Sequence, residues 1–213
     1  AVVIGVVSSE GDTGFVRLIL GDSYVNMTHE NIKNDDPLAV YKKMNGVDMF
    51  MGITFNNIRV SFYAFMAGLL LSAGTILLLL YNGIMLGTFH HLFYTKGLLL
   101  KSLSIVWIHG TLEISSIVIA GAAGLILGNS ILFPKTYSRR QSFLISAKDG
   151  VKIIVGLVPL FVIAGFLESF VTRFTQMPIF INLIIIFSSL SFIVWYVIIY
   201  PLKLSRREKN EST

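Results

Sequence analysis

No cysteine occurs among the 213 residues, which excludes a disulfide framework, a thiolate zinc cluster and a thiol nucleophile. Charge is scarce as well. Asp, Glu, Lys and Arg make up 14% of the chain, where soluble domains carry about 25%. There are only five prolines, so long uninterrupted helices are permitted. The absent chemistry is equally specific. No HExxH pair and no Ser-His-Asp arrangement stands out, and the Gly-rich AGAAG at 120–124 lies inside an apolar run with no lysine after it.

What is present is apolar. Hydrophobic residues make up 54% and the mean hydropathy is +0.74. With so little charge, the long apolar runs identify an integral membrane protein. The net charge of +5 then reads as cytoplasmic loops rich in Lys and Arg rather than as a nucleic-acid footprint. The expected fold is all-α, a polytopic helical bundle of about six spans with a small external helical insert.

Four regions are expected. Residues 1–7, AVVIGVV, read as the end of a truncated first span. Residue 1 is Ala and no charged leader precedes the run, so further sequence is expected upstream. Residues 8–55 form a polar loop with Glu10, Asp12, Asp22, Glu30, Asp35, Asp36 and Asp48 against Arg17, Lys33, Lys42 and Lys43. Short helices are expected there at FVRLIL (15–20) and DDPLAVYKKM (35–44), the second with Asp before Pro37 as a start signal. Residues 56–202 form the transmembrane core, with spans at 58–81, 109–128, 151–172 and 180–202. Asn82-Gly83 is expected to break the first of these. Residues 82–97 are short but are expected to cross back from inside to outside as a further span, and 98–107 is left open between re-entrant and interfacial. Pro159 falls inside the 151–172 span. Residues 203–213 are a basic tail. Lys135, Arg139, Arg140, Lys148 and Lys152 put the 134–152 loop in the cytoplasm with that tail, and the 8–55 loop outside.

Ionisable residues inside spans cost about 2.5–3.5 kcal/mol each on insertion-based scales, so each calls for a reason. His109 and Glu113 are four apart and share a helix face. Glu168 and the entering Asn57 and Arg59 belong to the same outer side. Three readings stay open: a structural cluster in which Arg59 or His109 pairs with a carboxylate, a proton or ion relay, and a metal site for hydrolysis. His90 and His91 are adjacent and point apart on a helix. Tyr63, Phe65, Phe89 and Phe93 read as packing. Gly110, Gly121 and Gly124 are expected at close helix crossings. No cofactor and no resident metal are expected, and no catalytic residue.

The motif order is FNNIRVSFYAFMAGLLLSAGT (55–75), YNGIMLG (81–87), IHGTLEISSIVIAGAAGLILG (108–128), LFPKTYSRR (132–140) and AGFLESFVT (164–172). It resembles the stage II sporulation protein M family, in the branch from bacteria that form no spores, from about residue 52 to residue 202. The resemblance implies a multispanning protein of the bacterial cytoplasmic membrane. In spore formers it implies a platform working with two cell-wall-degrading partners during engulfment. His109, Gly110, Glu113, Glu168, Asn57 and Arg59 match its motifs. The 8–55 loop is taken to lie outside the shared core. The expected function is a non-enzymatic scaffold, with a transporter or channel subunit as the alternative. The expected partners are the lipid bilayer and other envelope membrane proteins, with homo-oligomerisation open.

Overall fold

A computed structural model of the chain describes residues 1–42, 45–175 and 177–211. Among the described residues the regular structure is entirely helical. The core elements are α4 (Gly46–Met66), α5 (Ala73–Tyr94), α6 (Leu99–Leu132), α7 (Arg139–Phe166) and α8 (Ile179–Ile193). Before them lie α1 (Val2–Ser9), α2 (Thr13–Leu20) and α3 (Asp22–Lys33), and after them α9 (Tyr200–Glu211). Short turns make α4, α5, α6 and α7 successive neighbours, whereas α8 packs back on α6. α6 is the hub and packs on α4, α5, α7 and α8. Phe65, Leu112, Ala120, Leu127, Leu160 and Phe161 form the main buried cluster around it.

Four helical segments are long and apolar enough to cross a membrane: Ala73–Tyr94, Leu99–Leu132, Arg139–Val171 and Ile179–Arg207. α4 has the length but carries Asp48, Asn56, Asn57 and Arg59, and falls short of that apolarity.

The span expected at 58–81 is two helices. α4 ends at Met66, a 3₁₀ turn covers Ala67–Leu69, and Leu71 and Ser72 take positive φ of 53° and 71°. The chain reverses there and not at Asn82-Gly83, which lies within α5. Asn82 donates from Nδ2 to the Leu78 carbonyl at 2.9 Å and so stays compatible with the helix. The reversal is held from outside. Ser72 Oγ donates to the Leu125 carbonyl at 3.1 Å, and Ser72 N to the Gly68 carbonyl at 3.0 Å.

The segment 98–107 is neither re-entrant nor separate. It is the first part of α6, which runs unbroken for 34 residues. Buried Ser102, Ile105, Val106 and His109 continue one face with the spacing that a helix requires. At ~1.5 Å per residue α6 is about 50 Å long, well beyond a ~30 Å hydrocarbon core, so it tilts or projects. The last helix also continues past 202. A π-helical stretch at Val194–Ile199 precedes Pro201, where the missing proline N–H and its crowded ring disturb the α ladder.

The polar 8–55 region is folded. α2 starts where Asp12 Oδ1 accepts from the Phe15 amide at 2.9 Å. α3 was not anticipated from the sequence. At 35–44 only a 3₁₀ turn, Ala39–Lys42, is present, and positions 43 and 44 lie outside the described residues. The helix that leads into the bundle, α4, starts at Gly46, within the 8–55 region, because Asn45 Oδ1 accepts from the Val47 amide at 3.1 Å. Val16 and Val25 pack with Leu92 of α5, and Leu38 and Met49 pack with Phe93 and Ile105. α1 lies alongside α5, with Ala1 against Gly83, Gly5 against Thr88, and Glu10 bonded to His91 at 3.0 Å.

Candidate functional site: a buried His-Glu-Glu cluster

α6 places His109 and Glu113 one turn apart on its inner face. Glu168 arrives from the end of α7, where the helix widens into a π-turn over Leu167–Val171. The Thr172 amide donates to the Leu167 carbonyl at 2.8 Å, the i to i+5 bond of such a turn. The widened turn brings both Glu168 and Thr172 onto α6. His109 Nε2 lies 3.8 Å from Glu168 Oε2, and its Nδ1 lies 3.2 Å from Thr172 Oγ1. One ligand-capable atom from each of His109, Glu113 and Glu168 falls within 4.8 Å of the others. The His109 side chain is 6% exposed and that of Glu168 16%, so water screens the cluster poorly.

Asn57 of α4 completes the wall. It is buried and lies beside Glu113. Its Nδ2 nonetheless has no partner at hydrogen-bond distance. The cluster opens on a cavity of about 730 Å³ between α4, α5 and α6. Leu79, Met85 and Phe89 line its apolar side, and Asn56, Asn57 and Asn82 its polar side. Ile19, Leu20 and Tyr24 of the folded 8–55 layer also line it. Burial pushes the Tyr24 hydroxyl up to about 12, against a smaller lowering by Thr28. Tyr24 therefore faces the cavity as a neutral phenol.

Of the residues singled out from the sequence, His109, Glu113, Glu168 and Asn57 come together. Arg59 does not join them. It is exposed, and its Nη2 donates to Asn56 Oδ1 at 3.1 Å, at the polar rim of the cavity and not to a carboxylate. Among the described residues no lysine or arginine forms an ion pair with Glu113 or Glu168. Gly121 and Gly124 stand at close crossings, with Leu79 and with the Ala64 carbonyl respectively. Gly110 does not. A Cβ there would meet nothing nearer than Ile114 Cδ1 at 3.6 Å, and the residue borders the cavity instead. Thr172 was missed from the sequence. Its signal was its place four residues after Glu168, where a helix returns to the same face.

No curated protein and no solved structure matches the chain. A sequence model of the stage II sporulation protein M family matches residues 1–173. The match takes in the 8–55 layer, which was expected to lie outside the shared core, and it stops short of the last span. The whole cluster, from Asn57 to Thr172, falls inside it. The chain belongs to the stage II sporulation protein M family.

Proposed function

We propose that the chain is a non-enzymatic, multi-pass component of a bacterial envelope protein complex in the cytoplasmic membrane. In this reading the 8–55 layer is outside, the C-terminus is cytoplasmic, and the layer is the docking face. One observation carries it. The 8–55 segment is folded, anchored to the bundle through Val16, Val25 and Leu38 and running into α4, with most of its charged side chains exposed. A preformed surface costs less ordering entropy on binding than a loose loop does. Asp12, Glu30, Asp35 and Asp48 are all exposed on it, which favours a partner with a basic face. The basic residues Lys135, Arg139, Arg140, Lys148 and Lys152, which fall on the α6–α7 turn and the first turns of α7 and not on a long loop, support the orientation together with the tail.

The test is a pull-down of tagged full-length protein in mild detergent, read by mass spectrometry. A stoichiometric envelope partner is expected. Glu30→Gln with Asp48→Asn should weaken its capture several-fold at low salt and less at high salt. Recovery of the chain alone, or capture indifferent to those changes, would remove the docking role from this face.

A second reading, a transporter or channel subunit with an intramembrane His/Glu relay, has the cavity in its favour, because it opens on Glu113 and Glu168. It predicts pH-dependent flux in liposomes that Glu113→Gln blocks while the fold survives. Flux unchanged by that substitution would exclude the relay.

A further inference from the structure

We infer that His109, Glu113 and Glu168 are the protein ligands of a divalent cation of the zinc kind, bound within the helical bundle at the wall of the cavity. The inference stands beside the docking role and does not rest on it.

Charge is the first argument. Two carboxylates sit in poorly screened surroundings with no lysine or arginine paired to them among the described residues. Uncompensated charge of that kind is costly. A dication between them brings the sum of the carboxylates and the ion to zero. Protons on the carboxylates are the competing solution, and metal binding would release them.

Geometry is the second. Zinc bonds of ~2.0–2.2 Å in a tetrahedron set ligand atoms about 3.3–3.6 Å apart. The observed spread of up to 4.8 Å closes to that range by small rotamer shifts of two long glutamates. One imidazole with two carboxylates suits zinc or manganese. Calcium and magnesium favour all-oxygen shells.

The hydrogen bonds around the cluster are the third and most specific. Thr172 Oγ1 donates to the Leu167 carbonyl at 3.1 Å. With that proton committed, the hydroxyl accepts at its other side, and His109 Nδ1, 3.2 Å away, is the donor. This assigns the tautomer with the proton on Nδ1, so Nε2 turns its lone pair toward Glu168. Histidines that bind metals are held in this way, by a second partner that fixes ring and tautomer. The π-turn that supplies Thr172 also supplies Glu168, so one local distortion builds both a ligand and the orienting group. Asn57 is the independent sign. A buried amide nitrogen approaches the Glu113 side chain without closing a hydrogen bond of ordinary length, and Asn57 lines the same cavity. It is placed to donate to a coordinated carboxylate or to a water in the fourth position, which the cavity leaves accessible.

The experiment uses the full chain in mild detergent. It is stripped with a chelator, desalted, exposed to Zn²⁺ alone, desalted again and measured for metal. About one zinc per chain is expected to remain. Retention should fall at least tenfold in His109→Ala and in Glu168→Gln, and should hold in His29→Ala, which removes a histidine from α3. Thr172→Val should fold and keep all three ligands, yet bind zinc ~10–100-fold more weakly. That variant keeps the test decisive if a ligand variant does not fold. A folded wild-type chain retaining less than a tenth of an equivalent would overturn the inference. So would retention and affinity that none of these variants changes.

Discussion

Gly124→Val will remove most of the folded protein from the membrane, and Gly124→Ala will lower its melting temperature sharply. The cause is the crossing of α6 with the α4–α5 reversal. A Cβ at position 124 would stand 2.5 Å from the Ala64 carbonyl oxygen, 2.7 Å from Thr75 Oγ1 and 3.0 Å from the Phe65 carbonyl oxygen. Two of these are backbone atoms and cannot rotate away. The third is committed, since Thr75 Oγ1 donates to that same Ala64 carbonyl at 2.8 Å. The added methyl therefore has to push α4 and α5 off α6 as a unit. Overpacking that side chains can absorb costs about 1–3 kcal/mol. Here the whole hairpin has to move, and valine adds two further methyls, so the cost belongs at or above the top of that range. Total stabilities are about 5–15 kcal/mol. Gly110→Ala is the control on the same helix. It has room for the methyl and should melt at or above the wild type, because alanine is about 1 kcal/mol better than glycine within a helix. Monodispersity and thermal melting in detergent read both. Equal melting of Gly124→Ala and wild type would mean that the crossing is looser than these distances.

Much of this architecture is legible in the sequence, and the failures have physical causes. The all-α fold and the apolar segments follow from composition and run length alone. The chain reversal at Leu71-Ser72 is invisible because the signals for left-handed backbone, Gly or Asn, are absent there. What holds it is tertiary, the Ser72 bond to Leu125 fifty-three positions away. Asn82-Gly83 misleads for the mirror-image reason. It is a strong local turn signal, overridden by a helix that packs Gly83 and Gly87 against α1. Lys101 is exposed on the first turn of α6 and does not interrupt the helix.

The site divides in the same way. His109 with Glu113 is readable from i, i+4 spacing, and Glu168 from its rarity within a span. Arg59 is misread because rarity shows that a residue matters but not which way it faces. Position 59 lies two residues from the buried Asn57, about 200° around the helix, and its side chain is exposed and bonds Asn56 instead of a carboxylate. Thr172 looks like a neutral turn residue until the π-turn rotates it onto His109.

The position of Arg59 decides the outcome of Glu113→Gln combined with Glu168→Gln. If Arg59 clamped the carboxylates, removing them would strand a buried cation at a cost of about 3–5 kcal/mol, and the bundle would fail. With Arg59 exposed and bonded to Asn56, no buried cation is left behind. What the double substitution removes is the desolvation cost of two carboxylates in a poorly screened site. With a chelator present, the variant should therefore melt at or above the wild type. Added Zn²⁺ should reverse the order. A ligand that binds only the folded state stabilises it by RT ln(1 + [L]/Kd), about 2.7 kcal/mol at a hundredfold excess over Kd. The wild type gains that increment, and the variant, lacking two of three ligands, does not move. Parallel melts with chelator and with zinc read the crossing directly. Loss of the folded variant under both conditions would make the carboxylates structural in their own right. Equal zinc shifts in the two chains would place the metal elsewhere. A crossing of the two curves fits only a site in which the carboxylates cost the apo fold stability and return it when the cation binds.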